Sequence, residues 1–263
     1  MTEPQRWALI LGASSGFGAA TSLELARSGH NIIGVHLDRK ATLPHAEQVI
    51  DNIRAAGRQA LFFNVNAADP ERREEVLFRA GEEVRSSGTV AVLLHSLAFG
   101  NLRPYIAADP EEQITAAQMD MTLAVMAHSL VYWVQDLVRR GLMGRGGKIF
   151  AMTSAGGTRV LPHYGAVSAA KAALESHIRQ LAMELAPRGI SANAIRAGVT
   201  DTPALRKIPG HELIAETALR RNPSGRLTRP GDVARVIAAL CAPGTDWITG
   251  NVIGVDGGED IIG

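Results

Sequence analysis

The feature that most constrains this chain is a glycine-rich turn set between a short apolar run and a helical pattern. Residues 7–11 lead into Gly12-Ala13-Ser14-Ser15-Gly16-Phe17-Gly18, and a helical stretch then runs to about Ser28 and stops at Gly29. Three glycines so spaced let the backbone turn tightly, admit a phosphate close to the main chain and aim helix N-terminal amides at negative charge. Strand, turn and helix in that order predict a dinucleotide site rather than an empty turn. The spacing is G-x-x-x-G-x-G, distinct from the common G-x-G-x-x-G fingerprint.

The same alternation continues along the chain. Apolar runs at 7–11, 31–36, 61–65, 90–95, 148–152, 191–195 and 252–255 are separated by helical patterns. Their near-continuous Val, Ile, Leu and Ala content predicts burial on both faces, and the helices between them supply the crossovers that parallel strands need. The expected fold is α/β: a Rossmann-type doubly wound sheet of seven parallel strands with helices on both faces. With 263 residues and 46% hydrophobic content the chain fills one large core, so one domain over 1–263 is expected. Residues 198–230 lack a strand pattern and carry Pro203, Pro209, Pro223 and Pro230. This stretch reads as a substrate-lid insertion with a short helix near 212–221, following the sixth strand at the edge where such sheets bind ligands.

Composition excludes several function classes. A formal net charge of +1 with scattered arginines gives no footprint for nucleic acid. One cysteine, Cys241, permits no internal disulfide and fits a reducing cytoplasm, while the eight histidines show no metal-ligand spacing, so no catalytic metal is expected. No signal-peptide core and no uninterrupted run of about 18 apolar residues is present, so no membrane association is expected.

The turn at 12–18, together with Ile248-Thr249-Gly250 and Val255-Asp256-Gly257-Gly258, resembles the short-chain dehydrogenase/reductase family over essentially the whole chain. The resemblance implies that Gly12, Ser14, Ser15, Gly16, Phe17 and Gly18 face the cofactor phosphates and ribose, Asn64 and Val65 the adenine, and Gly198, Thr200 and Thr202 the nicotinamide side. Two departures narrow it. Leu94-His95-Ser96-Leu97-Ala98 stands where most members have Asn-Asn-Ala-Gly, placing Ser96, Leu97 and Ala98 against the cofactor. Most members carry Tyr-x-x-x-Lys, whereas Lys171 follows Tyr164 by seven residues. That spacing, with Asn193-Ala194-Ile195-Arg196-Ala197-Gly198, is similar to the enoyl-acyl-carrier-protein reductases. Ser154 stands where the best-known of these have a second tyrosine. It also lies 17 residues before Lys171, the serine offset of ketone-reducing members, and Thr122 replaces the asparagine of their central helix.

The pattern over about 163–186 predicts a helix in which residues seven apart share a face, with a rise of roughly 10 Å between them. Tyr164 and Lys171 are thereby expected to converge on one ligand, with Ser154 as a second hydrogen-bond donor and Lys171 also holding the ribose. Lys171 is one of four lysines beside 23 arginines, and a compact ammonium can donate to both ribose hydroxyls and favour ionisation of a nearby phenol. At the end of the second strand His36 replaces the acid of NAD-preferring members, and Arg39 and Lys40 follow Asp38. Two cations there suit a 2′-phosphate, so NADPH is favoured and NADH is the alternative.

The reading is thus of an NAD(P)H-dependent reductase acting on the 2,3 double bond of an enoyl thioester in fatty-acid or related acyl-chain synthesis. Its substrate is expected on acyl carrier protein or coenzyme A. A ketone or alcohol oxidoreductase is the alternative, and a non-catalytic NAD(P)-binding regulator the third. Arg206, Lys207, Arg220, Arg221 and Arg226, in or near the lid, are candidates to meet an acidic carrier or coenzyme phosphate, a solvated basic face being their other reading. Helical faces around 119–133 and 169–185 resemble those through which family members assemble, and a homotetramer is expected.

Overall fold

A computed structural model describes residues 5–262. The strands are β1 (Gln5–Leu11), β2 (Asn31–His36), β3 (Ala60–Asn64), β4 (Gly88–His95), β5 (Lys148–Ser154), β6 (Ser191–Ala197) and β7 (Val252–Val255). All seven pair in parallel in the order β3-β2-β1-β4-β5-β6-β7. The expected sheet is therefore present, with β3 ending at Asn64 so that Val65 lies just beyond it.

Among the described residues the α-helices are eight: α1 (Gly16–Arg27), α2 (Leu43–Ala55), α3 (Pro70–Ser87), α4 (Ala116–Leu123), α5 (Ser129–Arg139), α6 (Gly165–Leu185), α7 (His211–Arg221) and α8 (Pro230–Leu240). Leu25, Ile53, Val233 and Ile237 from α1, α2 and α8 bury against one face, and Val76, Trp133, Leu174 and Ile178 from α3, α5 and α6 against the other. Strands buried on both sides explain the unbroken apolar runs: every residue of β2 is buried. Gly34 there is required by contact, since a Cβ would come 2.6 Å from the Phe62 ring.

Local signals set the helix ends. Asp69 accepts hydrogen bonds from the amides of Glu71 and Arg72 and caps α3 behind Pro70, and Thr115 with Gln118 forms a capping box on α4. Between α4 and α5 the chain continues as a π-helical turn over Ala124–His128. The stretch Pro110–Arg139 is long and apolar enough to cross a membrane by length and composition, but its Leu130, Trp133 and Leu137 are fully buried in the core.

Strand order reverses at β1: the chain winds outward through β2 and β3, then returns to place β4 on the other side of β1. The crevice between the ends of β1 and β4 is where ligands bind in such sheets. The 198–230 segment follows β6 at the same edge and holds α7 with a short 3-10 turn at Leu205–Lys207.

Candidate active site

The glycine turn meets the end of β4 at the crevice. A Cβ on Gly12 would lie 2.4 Å from the Ser96 carbonyl oxygen, and one on Gly18 would lie 2.0 Å from the Gly12 carbonyl oxygen. Only glycine fits either place. Gly12 and Gly16 also have φ of +91° and +53°, which glycine adopts at least cost. Ser15, the N-cap of α1, is extended and makes no side-chain cap. The first amides of α1 are thereby left for an anion, and the cradle fits a dinucleotide pyrophosphate.

Of the residues expected around the cofactor, Gly12 comes together with Ser96 and Leu97, whose side chain lies 3.6 Å from the built Cβ. Thr202 reaches across from the lid segment to within 3.6 Å of a Cβ built on Gly16. Thr200 and Thr202 are buried polar residues at this rim, and Thr200 donates to the Gly198 carbonyl.

His36 is buried and its Nδ1 hydrogen-bonds Asp38 at 2.8 Å, so its imidazole is engaged with a neighbour. Asn64 accepts from the Asp38 amide and donates to the Asp38 carbonyl, which fixes that backbone. Burial works to raise the Asp38 pKa, but the Thr42 and Ser14 hydroxyls and His36 more than offset it and hold the carboxyl below its usual range. The group presented to the turn is an ionised carboxylate at Asp38, while Arg39 and Lys40 are exposed. The sequence signal for this residue, an acid two positions beyond the strand, was outweighed by the adjoining cations.

Helix α6 begins at Gly165, with Tyr164 as its N-cap, one to two residues later than expected. His163 just before it has φ of +61°, the one non-glycine residue with positive φ among those described, and this turn aims Tyr164 inward. Tyr164 is buried beside Gly156, where a Cβ would come 2.6 Å from its ring. Burial raises the phenol's pKa, opposed by the nearby Ser154 hydroxyl. That hydroxyl falls short of hydrogen-bond geometry with the phenol, and its oxygen is buried without a partner.

Lys171 is buried and donates to the Met152 carbonyl at 2.7 Å. Its stem packs beside Gly157, so Tyr164 and Lys171 flank the same short segment after β5. Among the described residues the phenol makes no hydrogen bond to the ammonium. Lys171 was expected to favour the phenolate; instead burial raises the Tyr164 pKa, opposed by Ser154 alone, and Tyr164 remains a neutral donor. Burial pushes the Lys171 ammonium down to about 8, against the attraction of Glu175.

Thr122 donates to the Gln118 carbonyl and accepts from the Asn101 amide, so its hydroxyl is committed locally. Beside Tyr164 opens a cavity of about 490 Å³ lined by Arg103, Tyr105, Val160, Leu161 and His163. Tyr105 lies so close over Gly165 that a Cβ there would be 2.6 Å from its ring, a wall that the sequence reading missed because the two residues are 60 apart. A second pocket of about 330 Å³ near α8 is lined by Arg226, Asp232 and Arg235, which pair with one another. It holds none of the reacting groups. In and beside the lid, Arg206 pairs with Asp201, Arg220 with Glu216 and Arg226 with Asp232, so these three cations are neutralised at home.

The family described as enoyl-(acyl carrier protein) reductase matches residues 12–259. The 1-cyclohexenylcarbonyl-CoA reductase of Streptomyces collinus is 32% identical over 256 residues, covering 97% of this chain and 86% of that protein. The 3-oxoacyl-[acyl-carrier-protein] reductase of Thermotoga maritima is 29% identical over 250 residues, covering 95% of this chain and 96% of that protein. The crystal structure of enoyl-[acyl-carrier-protein] reductase (NADH) from Aquifex aeolicus superposes with a TM-score of 0.84 at 25% identity, covering 98% of this chain and 97% of that one.

Proposed function

Because the chain belongs to the short-chain dehydrogenase/reductase family, in its enoyl-reductase-like division, and is an NAD(P)-dependent oxidoreductase, we propose that it reduces the 2,3 double bond of an enoyl thioester. The observation that carries this reading is a pair of buried donors at one place: the neutral Tyr164 phenol and the unpartnered Ser154 hydroxyl. Reduced nicotinamide, when bound, supplies hydride to the β-carbon of the substrate. Gly12, Gly16, Gly18 and the open amides of α1 hold the pyrophosphate, with Asp38 at the adenosine ribose.

Negative charge then grows on the thioester oxygen, and Tyr164 donates its O–H to that oxygen with Ser154 as second donor. Donors aimed at developing charge in a buried site are worth about 3 to 4 kcal/mol each at most. A neutral phenol is the species this step needs, so its raised pKa serves the reaction. The acyl group lies along Tyr105, Val160 and Leu161 at the open mouth of the cavity, where the enolate's α-carbon takes its proton from water. The name of the Streptomyces relative describes a double bond conjugated to a coenzyme A thioester, in keeping with this substrate class.

The carrier is coenzyme A or acyl carrier protein, and the protein acts as a homotetramer through the faces of α5 and α6, where Tyr132 and Met183 are exposed. For the cofactor, the fixed carboxylate of Asp38 favours a ribose diol over a 2′-phosphate, so NADH takes precedence over the NADPH expected from Arg39 and Lys40. Ketone reduction is the second reading, favoured by the position of Ser154. Oxidation of NADH and NADPH is to be followed with crotonyl and acetoacetyl thioesters. Turnover of crotonyl thioester, faster with NADH, is the expected result; turnover of acetoacetyl thioester alone would replace the first reading by the second.

A further inference from the structure

His95 ends β4 with no solvent exposure and is used by nothing described so far. Its Nε2 is 2.8 Å from Ser129 Oγ, and Ser129 Oγ is itself 2.8 Å from the Val125 carbonyl. A serine hydroxyl has one proton, and here the carbonyl takes it, so Oγ can only accept from the ring. His95 therefore carries its proton on Nε2 and presents a bare lone pair at Nδ1. That Nδ1 is buried and has no partner among the described residues. A buried acceptor left open calls for an explanation.

Lys171 offers the missing donor. His95 is in register with Ala151 across the β4–β5 pairing, and the next residue, Met152, accepts the Lys171 ammonium. Side chains in register share a face of the sheet, so His95 and Ala151 both lie on the face that packs against α5 and α6. The ammonium has three protons, and the structure gives one a partner. We propose that His95 Nδ1 is a second acceptor for the Lys171 ammonium, met directly or across one water, and that His95 thereby acts as a positioning residue for Lys171.

Electrostatics agrees with the geometry. Burial, then the Lys171 charge, lowers the His95 pKa to about 3 against the backbone carbonyls of His95 and Val125, so the ring is neutral wherever the enzyme works and can accept. The other titratable groups in reach are Glu175 on α6, which accepts from Thr153 at 2.6 Å, and His177, which pairs with His128 at 3.0 Å.

The role rests on the reading of Lys171 as a site residue, but its test needs neither substrate nor cofactor. The chain has four lysines, so carbon-13-labelled lysine permits Lys171 to be titrated by NMR in the free protein. His95→Leu is expected to lower the Lys171 pKa by about one unit, the size of a hydrogen bond to a charged group. His95→Asn, whose amide oxygen stands where Nδ1 did, is expected to restore most of it. In assays with whichever thioester is turned over, the alkaline limb of kcat is expected to shift with the Lys171 pKa. A folded His95→Leu protein whose Lys171 titrates as in the wild type would overturn the proposal. Should that variant not fold, the nitrogen-15 resonance of Nδ1 decides: it is expected to move on Lys171→Met, and an unmoved resonance overturns the proposal.

Discussion

Tyr164 and Lys171 are both altered by burial, in directions that suit different tasks. The phenol is kept protonated and able to donate, while the ammonium is brought to about 8, close to losing its charge under mildly alkaline conditions. If the charged lysine is needed, kcat falls as pH rises through that value; a pH–rate profile flat to pH 10 would remove Lys171 from the reaction. Ser154 is a weaker donor, and Ser154→Ala should cost about 1 to 2 kcal/mol, a five- to thirtyfold fall in kcat/KM for the thioester. The seven-residue spacing made it legible that Tyr164 and Lys171 would meet one segment, Gly156 and Gly157, although Tyr164 caps the helix instead of lying on its face. Desolvation was not: whether a phenol is shifted up by its surroundings or down by a cation depends on packing from β5 and the loop at 100–105, which no local pattern carries. His95 was hidden for the same reason, since it takes its meaning from partners on other elements.

At the scale of elements, the β1 to α1 turn is the part most tightly determined. Gly18→Ala would drive a methyl group to 2.0 Å from the Gly12 carbonyl oxygen, which is backbone and cannot swing aside. The turn must open, and cofactor affinity measured by fluorescence titration should fall more than tenfold even where the fold persists. By contrast Gly29→Ala meets nothing within 4 Å, and its cost is that of a left-handed alanine at φ +93°, about 1 kcal/mol of stability with cofactor affinity unchanged. Strand runs and helix stops such as Gly29 were readable because burial on both faces writes an unbroken apolar pattern. The start of α6 was not, because the left-handed His163 looks like part of the helix it precedes. The π-helical turn at 124–128 was also invisible, since its side-chain pattern is that of an ordinary helix.

For the whole molecule, two buried histidines link stability to acid. Burial lowers His30 to about 4 and His95 to about 3, so each stays neutral in the fold while an unfolded histidine binds a proton near 6.5. The unfolded state then holds more protons, and the two histidines' contribution to stability is expected to be full above about pH 7 and to fall by a few kcal/mol as pH drops from 6.5 toward 4. Denaturant midpoints across that range check it; His95→Leu should flatten part of the slope. Cys241, pushed up to about 12 by burial, should resist alkylation at pH 8 until the protein unfolds. Reduction of the double bond depends on Tyr164 as the donor to the enolate. Its most direct test is Tyr164→Phe, with single-turnover reduction of crotonyl thioester measured beside cofactor affinity. The chemical step is expected to slow by about 100- to 1,000-fold with cofactor binding unchanged; reduction at the wild-type rate by the Tyr164→Phe protein would contradict this role.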